Sequence, residues 1–500
     1  MSVAAVIGVD IGTSSSKGVL VDLEGTVRAQ ATRAHDPSRP RPGYVEMDAA
    51  LWWSEFVAIS RELVTAAAAD GIDIVAVGVS GMGPCVLIAD ATGTPLRPAI
   101  LYGVDSRSVS QIESLSRDLG GDAIIRERTG SALSTQSVGP KLAWLAENEP
   151  HLFTEARHLF MPSSWLVWKL TGEYLLDHHS ASQCTPLYDP VSHAWNEDWA
   201  ASIIGEIELP RLCWPGDIAG QINRNAATVT GLPLGIPVIA GTIDAWTEAV
   251  SVGAQNAGDL MLMYGTTMFL INTVPEPLTS AGLWGTVGAF PHTYNLAGGM
   301  ATSGAITGWL KELFNAADYP ELLARAAASG PGARGLLMLP YFAGERTPID
   351  DPHARGIIAG LTVEHTAGDL YRAALEATAL GVRHNIEAIR AAGGVIERIV
   401  AVGGGTQGSL WTQIVSDVTG LPQIIPTTTI GASFGAAFLA ASAVTAADID
   451  LWNPPAEIRQ PDASLAADYD ELYALYRSLY PATSQISHAL AARQERLSRP

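Results

Sequence analysis

Apolar residues along this chain come in two rhythms: short unbroken runs, and runs spaced three and four apart. The first run, Ala5 to Val9, leads into "DIGTSSSK" (10–17), and "GVLVDLEGTVRAQ" (18–30) follows as two further runs about a turn at Glu24-Gly25. Continuous apolar runs bounded by small residues predict buried strands joined as hairpins. "IVAVGVSG" (74–81) and "PCVLIAD" (84–90) read as further strands. "LWWSEFVAISRELVTAAAA" (51–69) has helical spacing and predicts a long helix, with one of Trp52 and Trp53 in the core and the other at its rim. "KLAWLAENEP" (141–150) and "SWLVWKLTGE" (164–173) predict shorter helices, the second stopped by Thr171-Gly172.

Further along, "IPVIAGTIDAWTEAVSVGA" (236–254) reads as strand, turn and helix. "DLMLMYGTTMFLINT" (259–273) repeats the shape of the N-terminal hairpin, which suggests an internal duplication with one ligand-binding hairpin in each half. "TALGVRHNIEAIRAAG" (378–393) and "LWTQIVSDVTG" (410–420) predict helices either side of the strand "RIVAVGGGT" (398–406). "GASFGAAFLAASAVTAA" (431–447), rich in Gly, Ala and Ser, reads as a buried helix rather than a membrane span. Five hundred residues exceed one ordinary core. The break is expected near Ser251–Gly258, giving domains at 1–250 and 251–447. Residues 448–500 lack strand signals and read as a peripheral helical tail.

Composition narrows the chemistry. Apolar residues make up 47% and charged residues 16%, an enzyme-like balance rather than a disordered one. The net charge of −21 argues against nucleic acid and anionic membranes as partners. A bound phosphate would then be held by backbone N–H groups, hydroxyls and a metal. Cys85, Cys184 and Cys213 are widely spaced and odd in number, which fits a reducing cytoplasm. The N-terminus lacks the basic segment of a signal peptide.

The turn at 10–17 carries the first candidate site. Small residues let a backbone approach a polyphosphate, Thr13, Ser14 and Ser15 offer hydroxyl donors, and Asp10 could hold Mg²⁺ through water. The same residues would also make an ordinary polar hairpin, with Asp10 capping its turn. "YGTT" (264–267) and "VGGGTQGS" (402–409) add two Gly-rich turns at strand ends, and three such turns favour one nucleotide cleft. None is read as a Walker or dinucleotide-binding sequence. Asp244, after an apolar strand, could take a proton from an attacking hydroxyl or cap the helix that follows. His178-His179 lack a nearby third ligand and read as packing or surface residues. Glu345-Arg346 reads as a structural ion pair.

These stretches fall in a specific order. "IGVDIGTSSSKGVLVD" (7–22), "PGYVEMD" (42–48), "GPKLAWLAENEP" (139–150), "WLVWKLTGE" (165–173), "AGTIDA" (240–245), "YGTT", "YFAGERTPIDDPHARGIIAGLT" (341–362) and "VGGGTQGSLWTQIVSDVTGLP" (402–422) together resemble the FGGY carbohydrate kinases over about residues 4–445. The resemblance implies an α/β fold of two actin-like, ribonuclease-H-like domains about an ATP–sugar cleft. It implies ATP and Mg²⁺ as cofactors, Asp10 as the metal-associated carboxylate and Asp244 as general base. It implies nucleotide contacts from Thr13, Ser14, Ser15, Lys17, Gly265, Thr266, Thr267, Gly304, Gly404 and Gly405. Met82, Gly83, Tyr102, Gln136, Asp244 and Ala245 match its sugar-facing positions. Met82-Gly83 stands where glycerol kinases have Arg-Glu and xylulose kinases Met-His, and Asp244-Ala245 resembles the ribulokinases. A ketopentose such as xylulose or ribulose is the expected substrate, with an alditol or aldonate as the alternative. An actin- or Hsp70-like ATPase without a small-molecule acceptor is the rival from another class. A cytoplasmic homodimer is the expected assembly.

Overall fold

The computed structural model describes residues 3–498. Its frame is two seven-stranded sheets. The first holds β1 (Val3–Ile11), β2 (Ser15–Asp22), β3 (Val27–Ala34), β4 (Ile72–Gly81), β5 (Ile218–Gln221), β6 (Pro237–Ile239) and β7 (Thr242–Ile243). Their order is β5-β6-β4-β1-β2-β3, with β7 also on β4. The second holds β8 (Asp259–Tyr264), β9 (Met268–Val274), β10 (Trp284–Val287), β11 (Tyr294–Met300), β12 (Arg398–Val402), β13 (Gln423–Pro426) and β14 (Pro455–Arg459), in the order β10-β11-β9-β8-β12-β13-β14. In each sheet an antiparallel meander of three strands adjoins three parallel strands and an antiparallel edge. The duplication suggested by the two hairpins therefore extends over six strands of each sheet.

Local chemistry accounts for the main helices. α1 (Ala49–Ala69) starts where the Asp48 carboxylate accepts from the Ala50 N–H at 2.8 Å, and it buries Trp52, Phe56, Ile59 and Leu63. Trp53 lies at the rim, stacked on Phe56. α2 (Asp244–Ser251) follows β7 directly. α3 (Ala367–Ala391) opens on a reciprocal cap between Thr366 and Asp369 and forms much of the second core.

Three findings depart from the sequence reading. "PCVLIAD" forms a strand only at Leu87–Ala89, paired with His158–Phe160 away from both main sheets. The segment after Asp448 is more than a helical tail: β14 pairs with β13, Trp452 Nε1 donates to the Leu23 carbonyl (3.1 Å) and Asn453 Nδ2 to that of Ser251 (2.9 Å). Only then does the long helix α5 (Ala466–Ser498) begin. Lastly, the helix expected to close the second domain, α4 (Ala432–Val444), packs against the first sheet. A Cβ on Gly8 would lie 2.0 Å from the Ser433 carbonyl oxygen, one on Gly78 2.0 Å from that of Ala436, and one on Gly435 2.0 Å from that of Thr247 in α2. The Gly and Ala content of 431–447 thus serves backbone-to-backbone contact. No described helix is long and apolar enough to cross a membrane.

Gly78→Ala should destabilise the fold by about 3 kcal/mol or more, because β4 and α4 must separate to admit the methyl group. Chemical denaturation checks this, and Gly71→Ala, where a Cβ would meet nothing within 4 Å, gives the control for backbone strain alone.

Candidate active site

The carboxyl ends of β1 and β4 open the site. Asp10 pairs in register with Ser80 on one side and Lys17 on the other. Its Oδ1 accepts from the Ser80 hydroxyl at 2.5 Å. The turn after it closes with Gly12 N–H on the Ser15 carbonyl, 3.1 Å. His35 braces this turn from behind, with Nε2 3.0 Å from the Gly12 carbonyl and Nδ1 2.9 Å from Glu55, which also accepts from Ser16. Thr13 Oγ1 lies 2.7 Å from the Tyr102 hydroxyl, so the phosphate hairpin and the expected sugar side already touch.

The second sheet presents its turns at the equivalent end. Gly265 N–H bonds the Thr267 carbonyl at 3.1 Å, and the first residues of the helix Gly304–Leu313 fold back onto it, Gly304 N–H to Gly265 and Ala305 N–H to Thr266. A Cβ on Gly304 would lie 2.6 Å from the Gly265 oxygen. Gly405 packs against Tyr264 and Trp411, while a side chain at Gly404 would meet nothing within 4 Å. Gly403 to Gly408 does carry the Gly-x-Gly-x-x-Gly spacing that the sequence reading sets aside. Here a 3-10 turn at Gly404–Gln407 stands between β12 and the helix Ser409–Thr419.

Between the sheets lies a cavity of about 400 Å³ lined from both sides. Asp10, Lys17, Tyr102, Gln136, Asp244, Ala245 and Glu248 face it from the first lobe, and Met263, Thr267, Phe269, Trp284 and Arg346 from the second. Asp244 is the first residue of α2, with Ile243 as the cap; its Oδ1 accepts from the Ala245 N–H at 2.8 Å. Burial, then the neighbouring charge of Asp10, pushes the Asp244 pKa up to about 8. Burial raises Asp10 to about 6 against the opposing Ser80 hydrogen bond and Lys17, and raises Glu248 to about 7 with help from Asp10. Three acids thus share a desolvated space with one lysine. Glu248 was not foreseen, although its place four residues after Asp244 on one helix face is a legible signal.

The expected sugar-facing residues divide. Tyr102, Gln136 and Ala245 line the cavity. Gln136 Oε1 accepts from the Gly103 N–H at 3.1 Å, and buried Lys141 holds the loop by donating to the Thr135 and Ser137 carbonyls. Met82 does not face the cavity: it is buried in the core of the first lobe. Gly83 reaches the lining, but Ile243 occupies the space beside it, 2.7 Å from where a Cβ would stand, so no gap opens there for a bulkier sugar. Glu345 and Arg346 do not pair. Glu345 Oε1 accepts from the Ala301 and Arg346 N–H groups, and the Arg346 side chain extends into the cavity. His178 and His179 pack, on Tyr188 and Trp214 and on Trp246 respectively.

Two sheets of one topology, each ending in a Gly-Thr hairpin above a shared acidic cavity, define a two-lobed protein of the actin-like, ribonuclease-H-like class. The N-terminal domain model of the FGGY family of carbohydrate kinases matches residues 5–251, and the C-terminal domain model matches 260–444. The chain belongs to the FGGY family of carbohydrate kinases. It is 29% identical to a xylulose kinase of Escherichia coli (strain K12), over 95% of this chain and 98% of that one. It is 33% identical to a glycerol kinase of Rhizorhabdus wittichii, over 90% and 89%. The crystal structure of xylulose kinase from Rhodospirillum rubrum matches with a TM-score of 0.91 at 32% identity, over 97% of this chain and all of that one.

The acid cluster predicts a pH effect on stability. A carboxyl raised on folding keeps a proton that the unfolded chain releases, so its contribution is full below the unfolded value and lost as pH rises through the folded one. His178, His179 and His384, lowered by burial to about 4, 3 and 4, act in the opposite sense, but only below about 6.5. Lys141, lowered to about 8, acts above that. Between pH 6.5 and 8 the thermal midpoint of the free enzyme should therefore fall, chiefly through Asp244. Scanning calorimetry checks this, and Asp244→Asn should flatten the slope.

Proposed function

We propose that this enzyme phosphorylates a ketopentose, xylulose or ribulose, with Mg·ATP as phosphoryl donor and Asp244 as general base. The observation that carries the reading is the position of Asp244, half-buried at the start of α2, close enough to Asp10 to feel its charge and on the wall of a cavity lined from both lobes. Residues 1–250, completed by α4, act as the sugar lobe with the first phosphate hairpin, the rest of 251–447 as the nucleotide lobe, and 448–500 as an appendage that bonds both.

The donor set suits Mg²⁺. Asp10 is a hard oxygen ligand at a strand end, with one carboxylate oxygen spent on Ser80 and with two further acids close enough to raise its neighbours' pKa values. Among the described residues no three acidic, His or Cys side chains converge to hold an ion by themselves, which favours a cation carried largely by phosphate oxygens and water. Mg·ATP, when bound, supplies the transferable phosphoryl group and neutralises its charge. The chain does the rest. Thr13, Ser14, Ser15 and Lys17 cradle phosphate oxygens from one lobe, and Gly265, Thr266 and Thr267 from the other. Gly404, where a side chain would meet nothing, would give the nucleotide room, and Gly304 and Gly405 would line it with backbone. Gln136 Nε2, Tyr102 and the backbone beside Gly83 and Ala245 orient the sugar. Asp244 Oδ accepts the hydroxyl proton as that oxygen attacks. Apolar Phe269, Met263 and Trp284 keep water from competing as acceptor.

Relatives named xylulose kinase favour a ketopentose. The similarly close glycerol kinase makes a polyol the alternative. The reading includes a cytoplasmic enzyme with three reduced, buried thiols and a homodimeric assembly. A coupled ADP-release assay across ketopentoses, alditols and aldonates tests the substrate, and turnover highest on an alditol or aldonate would overturn it. Asp244→Asn should slow turnover by about 10²- to 10⁴-fold while nucleotide binding survives. Asp10→Ala should raise the Mg²⁺ concentration needed at fixed ATP and leave sugar binding intact; an unchanged Mg²⁺ titration would make Asp10 a turn residue only.

A further inference from the structure

The segment 345–351 reaches over the cavity from the second lobe and is pinned on every side. Glu345 and Asp351 exchange two backbone hydrogen bonds of 2.9 Å. Thr347 Oγ1 accepts from the Gly299 N–H at 2.6 Å and bonds Asn385. The Asp351 carboxylate accepts from the Tyr480 hydroxyl and from His488 Nε2 of α5, both at 2.7 Å. The long C-terminal helix thus anchors the base of this segment, and Arg346 projects from it.

Arg346 lies over β11 where Gly299 has no side chain: a Cβ there would stand 3.3 Å from Nη2 and 3.2 Å from Phe269. Nη2 donates to the Met300 carbonyl at 3.0 Å. Nε is buried with no hydrogen-bond partner, and no carboxylate forms a salt bridge with this guanidinium among the described residues. The acid next to it, Glu345, spends an oxygen on two backbone N–H groups. A half-buried cation with unspent donors is costly to keep, and a fold that only needed filling there would favour an apolar side chain. Charge is laid out unevenly in the cavity. Asp10, Asp244 and Glu248 influence one another, whereas Arg346 influences Tyr102, which also feels Asp244. Tyr102 thus feels both the acid end and the guanidinium, which also feels Glu345. The Nη1–Nη2 edge of a guanidinium offers parallel donors suited to a pair of neighbouring oxygens, and the Met300 carbonyl takes one of the two Nη2 hydrogens.

We infer that Arg346 is an acceptor-binding residue, whose guanidinium holds adjacent oxygens of the sugar through the cavity-facing Nη donors, at the end remote from the hydroxyl that faces Asp244. This rests on Asp244 marking the reacting end of the acceptor. The inference extends the sugar site into the second lobe, so that the two lobes grip one acceptor from opposite ends.

Arg346→Met and Arg346→Lys in the full chain test it, with D-xylulose, D-ribulose and xylitol as probes. Trp246 and Trp284 line the cavity and report binding by intrinsic fluorescence. Arg346→Met should raise the Kd and KM for the bound sugar about 10- to 100-fold, the worth of a charge-assisted pair of hydrogen bonds, with KM for ATP unchanged. Lysine should restore only part. The thermal midpoint of Arg346→Met should stay level or rise, because the removed group is poorly satisfied in the empty site. A clear fall in that midpoint would make Arg346 a structural residue and overturn the inference, whatever the substrate. Loss of kcat with unchanged sugar KM would also overturn it, assigning the arginine to the phosphoryl group. Failure of the wild type to use any ketopentose overturns the substrate reading alone, and the midpoint still decides for Arg346.

Discussion

The approach of α4 to the first sheet, with carbonyl oxygens of Ser433 and Ala436 where Gly8 and Gly78 would carry side chains, sets the geometry of the cleft. Gly8 lies two residues before Asp10 on β1, and Gly78 two before Ser80 on β4. Alternation along a strand puts each pair on one face, so α4 lies on the sheet face that carries Asp10. Gly435 holds α2 equally close, through Thr247, and Gly431 sits beside the Glu248 carboxylate. One helix therefore fixes the relative depth of Asp10, Asp244 and Glu248. It comes late in the chain, after six of the second sheet's seven strands, so the first lobe is not finished until most of the second has been made. Contact of this kind is rigid, because backbone atoms cannot change rotamer to relieve it.

That rigidity explains how the acids can be held in an unfavourable place. Desolvation raises all three carboxyl groups and the charge of Asp10 adds to the rise of Asp244 and Glu248, against Lys17 and the hydrogen bonds from Ser80 and the Ala245 N–H. The protein stores an electrostatic cost at this point and carries it on the packing of α4. A ligand that brings positive charge into the cavity relieves the cost, and a site built in this way binds such a ligand more strongly than one already neutralised by its own side chains. The unpaired guanidinium of Arg346 is the same device with the opposite sign.

Much of this was legible in the sequence, and the parts that were not share a cause. The hairpin at 10–17, its echo at 264–267 and the turn at 402–409 announce themselves because small residues interrupt apolar strands locally. Asp10 and Asp244 follow because each ends or follows such a strand. The packing of α4 on the wrong lobe was hidden because a Gly- and Ala-rich helix has no polar face to show its direction. Met82 was misjudged because position along the chain does not say which way a side chain turns: Met82 turns into the core, while Gly83 reaches the cavity with Ile243 beside it. Arg346 next to Glu345 suggested an ion pair, yet neighbours in an irregular segment point apart. The brace of His35 and Glu55 joins residues twenty apart with no periodic signal.

The duplicated sheets also show how equal topology gives unequal chemistry. In register with the hairpins, Asp10, Ile11 and Gly12 correspond to Met263, Tyr264 and Gly265, and both Asp10 and Met263 line the cavity. The first lobe puts a carboxylate at this position and the second a thioether, with Phe269 and Trp284 beside it. Field lines from the acids then run into a wall of low polarity rather than into a second acid. Charges facing an apolar wall interact more strongly than charges facing water. In the proposed reaction the acidic side would be the place where protons and phosphate oxygens are managed. The asymmetry would leave the second lobe to shape, dry and, through Arg346, grip what the first lobe activates.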